Sequence, residues 1–188
     1  MKSFGRELNK ELIELAKHGD GRALEAIYNH YVNDSYQLAY KFVYEPSLAE
    51  DITQEAFIKV INNVHHYQFN GSFSGWIRRI VVNESINRVK HEKRLEVIFS
   101  LGGEDVDNME LFKSNWLSEC RDLEWLLKQL PLMHRTVLVL HEIEGYKHRE
   151  IAEMLDRTES FSKMTLLRAF KQLKEISSQQ EVSYALNR

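Results

Sequence analysis

With 188 residues, 28% of them charged and 43% hydrophobic, the chain suits one mid-sized domain or two small ones, and its composition is neither disordered nor membranous. Two prolines and eight glycines favour long helices over a many-turned β fold, and the single cysteine, Cys120, excludes an intrachain disulfide. No apolar run approaches the roughly 20 residues that span a bilayer, and the polar start, Met1 to Glu7, has no signal-peptide core, so a cytoplasmic protein is expected.

In chain order, Leu8, Leu12, Ile13, Leu15 and Ala16 predict a helix over 7–18. Gly19-Asp20-Gly21 breaks it, with Asp20 as the N-cap of a second helix carrying Ala23, Leu24, Ile27, Tyr28 and Tyr31. A third is expected over about 33–43, and Glu45-Pro46-Ser47 reads as a turn. The next helix, about 48–64, has the apolar stripe Ala49, Ile52, Ala56, Val60 and Ile61. Asp51, Gln54, Glu55 and Ile58, at i, i+3, i+4 and i+7, share another face. A loop from His65 to Ser74 precedes a helix over 76–94. From about 95 the pattern lapses into an acidic stretch with Gly102-Gly103, where Leu111, Phe112, Trp116 and Leu117 could dock on something. Helices return over 121–130 and, started by Pro131 and stopped by Gly145, over 131–144. Residues 177–188 read as a polar, frayed tail. The expected fold is all-α: two small helical domains, 1–94 and 121–176, joined by an acidic linker, 95–120.

The net charge of −3 argues against a nucleic-acid partner only until its distribution is read. Arg78, Arg79, Arg88, Lys90, Lys93 and Arg94 crowd one stretch; Arg157, Lys163, Arg168, Lys171 and Lys174 crowd another. Glu96, Glu104, Asp105, Asp107, Glu110 and Glu119 lie between. Local patches decide where phosphate binds, so two DNA-contacting units fit this pattern, as do two solvated helix faces.

Residues 148–155 predict a two-turn helix with Ile151, Ala152 and Leu155 inward. Asp156-Arg157-Thr158 is a tight turn with Thr158 as cap, and Glu159 to Lys174 is a second helix. The small Ala152 lets two helices cross closely, as a helix-turn-helix requires; an ordinary helical hairpin has the same pattern. Eight histidines include the series His134, His141 and His148, but no partner set completes a metal site, and Gly145 separates the third from the first two. There is no phosphate loop and no nucleophile with a base, so no catalysis, metal or cofactor is expected.

Several separated blocks resemble the extracytoplasmic-function (ECF) sigma factors of the sigma-70 family. Ala49-Glu50-Asp51-Ile52-Thr53-Gln54-Glu55-Ala56-Phe57 is similar to the family's region 2 AEDxxQExF helix. Phe69-Asn70-Gly71-Ser72-Phe73-Ser74-Gly75-Trp76-Ile77-Arg78-Arg79-Ile80 is similar to its FxGSFxxWLxRI segment. Leu126 to Ile176, with Leu130-Pro131 and Glu150-Ile151-Ala152-Glu153-Met154-Leu155, resembles region 4. The resemblance implies a non-enzyme that binds core RNA polymerase and directs initiation at promoters. Asp51, Gln54, Glu55 and Ile58 would meet the β′ clamp helices, and region 4 would lie at the β flap. Tyr67, Phe69, Asn70, Ser72, Arg79, Asn83, Asn87, Arg88 and Lys90 would read a single-stranded −10 element. Thr158, Ser160, Phe161, Lys163, Met164, Thr165, Arg168 and Lys171 would read the −35 element. An anti-sigma factor is the implied regulator, and no membrane insertion is implied. The recognition helix departs from the family pattern: Thr165 and Phe170 stand where arginines are usual, which implies weaker phosphate contact and an atypical −35 preference, and Asp156 stands for the turn's usual glycine, since Asp tolerates a left-handed turn better than most residues. A helix-turn-helix regulator acting unaided, and a sigma-like protein without promoter selection, remain alternatives.

Overall fold

The computed structural model describes residues 4–96 and 123–186, with side chains over 4–91 and 124–178. All regular structure among them is helical. Two compact units divide between Arg88 and Val89. All but Leu95 and Glu96 of the expected 95–120 linker lies outside the described residues, as do Leu111, Phe112, Trp116 and Leu117.

The first unit holds α1 (Lys10–Lys17), α2 (Gly21–Val43), α3 (Pro46–Asn63), a 3-10 turn (Val64–His66) and most of α4 (Phe73–Glu96). Asp20 caps α2 as expected, its carboxylate accepting from Ala23 N–H at 2.8 Å. The second and third expected helices are one. Asn33-Asp34-Ser35 are weak helix formers and look like a boundary, yet Ala23, Ile27, Tyr31, Ser35, Leu38 and Phe42 are buried in one unbroken stripe. Burial of that stripe outweighs local propensity.

α3 starts at Pro46, where the fixed φ and missing N–H suit a first turn, and the Glu45 carboxylate accepts from Ser47 and Leu48 N–H. Its buried face is Ala49, Ile52, Thr53, Ala56, Phe57 and Val60. Ile61, expected in the core, is 44% exposed. It lies about 100° around the helix from Val60, which carries it to the outer face. Thr53 takes a core place because its hydroxyl donates back to the Ala49 carbonyl at 2.7 Å.

The second unit holds α5 (Leu123–Gln129), α6 (Leu132–Leu138) running into a π-helical turn (Val139–Ile143), α7 (His148–Leu155) and α8 (Glu159–Leu186). α5, α6 and α7 all pack on α8. The fully buried Leu127, Leu138, Leu140, Ile151 and Leu173 form the core. Gly145, at φ +77°, carries the reversal after α6, and Tyr146 N–H donates to the Leu140 carbonyl at 2.9 Å. The tail expected to fray from 177 instead continues α8 to Leu186, since neither proline nor glycine interrupts it. None of the described helices is long and apolar enough to cross a membrane.

Candidate functional site

Three surfaces carry most of the expected site residues. The first is the outer face of α3. Gln54, Glu55 and Ile58 are exposed there, and Ile58 is 58% accessible despite its apolar side chain. Ile61, one turn on, extends the ridge. Asp51 is exposed too, but its carboxylate meets Arg88 of α4 at 3.0 Å. A second bridge, Lys59 to the nearly buried Glu84 at 2.6 Å, ties the same helices. The two bridges run in opposite order along α3 and α4, so these helices are antiparallel. Asp51 and Arg88, expected on different surfaces, therefore neutralise one another.

The second surface is the loop before α4. Tyr67, expected to face DNA, is a core residue. It is 6% exposed, its hydroxyl donates to the Gly71 carbonyl at 2.6 Å, and its ring packs on Phe73 and Trp76. A phenol bonded within its own loop holds that loop's shape instead of displaying a base-reading face. Burial, with the Glu7 charge adding to it, raises the Tyr67 pKa. Ser72 is exposed, but its hydroxyl accepts from Gly75 N–H at 2.9 Å and so caps α4. A Cβ on Gly75 would come within 2.6 Å of the Ser72 oxygen, so a side chain there would push that hydroxyl off its cap.

Phe69 and Asn70 remain outward, Asn70 exposed and Phe69 half-exposed. Phe69 holds φ +56°, a left-handed conformation rare for a bulky residue. Along α4, Arg79, Asn83, Asn87 and Lys90 recur at helical spacing on one face; the first three are exposed and Lys90 half-buried.

Sequence reasoning missed Glu7. Its carboxylate accepts from Phe73 N–H at 3.1 Å, Ser74 N–H at 3.2 Å and the Ser74 hydroxyl at 2.5 Å, so it caps α4 from 66 residues away. Tyr31 anchors the same segment through a 2.9 Å bond from its hydroxyl to the Arg6 carbonyl, and burial pushes its pKa up to about 12.

The third surface is the α7–turn–α8 unit. Asp156 takes the left-handed conformation expected of it, at φ 53° and ψ 49°. The Thr158 hydroxyl caps α8 by accepting from Phe161 N–H at 3.1 Å. Ser160, Met164, Arg168 and Lys171 recur down one face of α8; Ser160 and Lys171 are exposed, Met164 and Arg168 half-buried. Lys163 bonds Glu159 at 2.6 Å, which holds the Glu159 carboxyl below its ordinary range. Phe161 is half-buried, with the Arg157 guanidinium 5.9 Å from its ring centre. Thr165, expected to face DNA, is 3% exposed. It stands next to the buried Leu166 and Leu167 on the inward side of α8, and a threonine, unlike the usual arginine, is small enough to stay there.

His141 and His148, which Gly145 was expected to separate, stack with ring centres 4.3 Å apart, because the reversal folds α7 back over the end of α6. His148 Nδ1 lies 3.0 Å from the buried Ser162 hydroxyl. Desolvation lowers the His148 pKa, helped by His141 and Lys163 and opposed by Glu159 and Glu142. The fold thus favours neutral His148. Its contribution is complete above the unfolded histidine value of about 6.5 and is lost as pH falls below it. Thermal melts at pH 7.5 and 5.5 should show the wild type losing more stability on acidification than His148→Gln.

Comparison with known proteins identifies the family. Residues 27–95 match the family model for sigma-70 region 2, and residues 120–173 match that for sigma-70 region 4. The chain is 31% identical over 160 residues to the ECF RNA polymerase sigma factor SigW of Bacillus subtilis, spanning 78% of this chain and 84% of that protein. It is 34% identical over 126 residues to the ECF sigma factor SigE of Mycolicibacterium smegmatis, covering 64% of this chain and 48% of that one. Its fold is similar to the sigma factor RpoE of Bartonella quintana, solved in complex with the anti-sigma factor NepR. That match has a TM-score of 0.51 at 15% identity and covers 82% of this chain and 96% of that one. The region 2 match lies mostly in the first unit and the region 4 match lies within the second. The chain belongs to the ECF sigma factors, which direct RNA polymerase to promoters.

Proposed function

We propose that this sigma factor divides its work among the three surfaces by residue. Gln54, Glu55 and Ile58, flanked by Asp51 and Ile61, dock on the polymerase β′ clamp helices. Phe69, Asn70 and Ser72, with Arg79, Asn83, Asn87, Arg88 and Lys90, take the −10 element as single-stranded DNA. Thr158, Ser160, Phe161, Lys163, Met164, Arg168 and Lys171 meet the −35 element from the region 4 unit, which rests at the β flap. Tyr67 and Thr165 support these surfaces from the core. On this reading the domains are 1–94 and 121–176, the chain works in the cytoplasm, and the polymerase performs all the chemistry.

The observation that carries the reading is the α3 ridge. An acid, an amide and two exposed isoleucines stand on a helix whose other face is wholly core, and that mixture suits a partner helix better than water. The exposed Asn70 and half-exposed Phe69 supply an amide for a base edge and a ring for stacking. An anti-sigma partner fits the same reading, since the B. quintana protein of similar fold was solved with one.

Run-off transcription with core polymerase and a library of randomised promoters tests it. Starts downstream of a shared two-element motif are expected. Sequence-specific duplex binding by the chain alone, with no polymerase-dependent starts, would instead identify a helix-turn-helix regulator acting unaided.

A further inference from the structure

The first helix carries a pair of cations aimed at the loop assigned above to single-stranded DNA. Lys10 and Lys17 lie seven residues apart, two turns of helix, and so share a face of α1. The Lys10 ammonium sits 5.0 Å from the centre of the Phe69 ring, and that of Lys17 sits 4.9 Å from it. Lys10 is exposed and Lys17 half-buried. Phe69 itself is half-exposed, in a left-handed conformation, with one neighbour ring, Tyr67, at 5.0 Å. A bulky residue keeps such a conformation only where its surroundings fix it.

Those surroundings come from the N-terminal segment. Glu7 caps α4 through three hydrogen bonds, and α1 packs against the 3-10 turn that opens the loop. The lysines therefore ride on an element attached to both ends of the loop. Among the described residues their competing anions are few. Glu14 reaches Lys17 at 3.5 Å, the Glu7 carboxylate is occupied by α4, and Glu11 is solvent-exposed.

We propose that Lys10 and Lys17 belong to the single-stranded DNA site and grip the phosphates flanking the nucleotide at Phe69. A cation over an aromatic face at an exposed site is weakly held, whereas an ammonium on a phosphate makes a charge-assisted hydrogen bond. The ring parks the two ammoniums close to the backbone's path, and the DNA takes them over. α1 is then a strand clamp as well as a packing element. The inference rests on the assignment of this loop to the non-template strand.

The test uses holoenzyme assembled from core polymerase and the full chain. The template is a promoter selected in the library experiment, with the −10 region held open by mismatches. Affinity is measured over a series of KCl concentrations for the wild type, Lys10→Met/Lys17→Met, Lys10→Arg/Lys17→Arg and Asn70→Ala. The methionine pair should bind more weakly and flatten the slope of log K on log salt by about 0.7 per lysine, the single-strand value. The arginine pair should restore both. A methionine pair with the wild-type slope overturns the proposal, even if affinity falls, because the lysines then only prop the ring. If Asn70→Ala weakens binding in that case, the loop assignment survives without the clamp. If Asn70→Ala and the methionine pair both leave binding unchanged, the loop assignment fails and the clamp fails with it.

Discussion

Core polymerase should fail to retain the Gln54→Ala/Glu55→Lys variant on co-purification, and affinity should fall roughly a thousandfold, since two hot-spot side chains at about 2 kcal/mol each are lost. The expectation follows from where these residues stand. Both are exposed on α3, opposite the buried Ala49, Ile52, Ala56 and Val60, so their loss removes no core contact. Placing a lysine where a carboxylate is to meet a polar or basic helix also adds repulsion to the missing attraction. Thermal stability should stay within about 0.5 kcal/mol of wild type, as for other surface changes. Ile58→Asp should act in the same direction, because a 58%-exposed isoleucine gains from burial only when a partner covers it. Asp51→Ala should do less to docking, since Arg88 already satisfies that carboxylate at 3.0 Å. Unchanged binding in the double variant would put the docking face elsewhere.

Initiation dependent on the −35 element should drop roughly tenfold or more in Lys163→Ala/Arg168→Ala, in line with the loss of hydrogen bonds to charged groups. The salt slope of promoter binding should flatten by about one per residue that takes a phosphate. Both cations lie on α8 beyond its Thr158 cap, where a second helix enters a major groove. Lys163 is not idle without DNA: Glu159 holds it at 2.6 Å. A phosphate must displace that carboxylate, so Glu159→Gln should move binding the other way and strengthen it. Run-off assays and filter binding at several salt concentrations measure all three variants. Indifference to all of them would mean that α8 does not lie on DNA as assigned.

Much of this was legible in the residues. Asp20, Thr158 and Asp156 declared a cap, a cap and a left-handed turn by their chemistry, and the structure uses each so. Gln54, Glu55 and Ile58 declared an outer face by spacing. Legibility ended where a role depends on distant partners. Nothing near Glu7 announces that it caps a helix 66 residues on, and nothing near Lys10 or Lys17 announces Phe69. Tyr67 and Phe69 are similar aromatics two residues apart, and only packing sends one inward and leaves the other half-exposed. Ile61 misled because an isoleucine beside the core residue Val60 looks like core, although the helix turns it outward. The helix boundary expected near residue 33 is absent because one buried stripe, from Ala23 to Phe42, crosses it.

The most direct test is association of the purified full-length chain with purified core polymerase at about 0.1 M salt, followed by size-exclusion chromatography with light scattering. A stable one-to-one complex is predicted. Co-elution at no ratio, from a folded sample free of any bound inhibitor, contradicts the assignment of the α3 ridge and every promoter contact that depends on it.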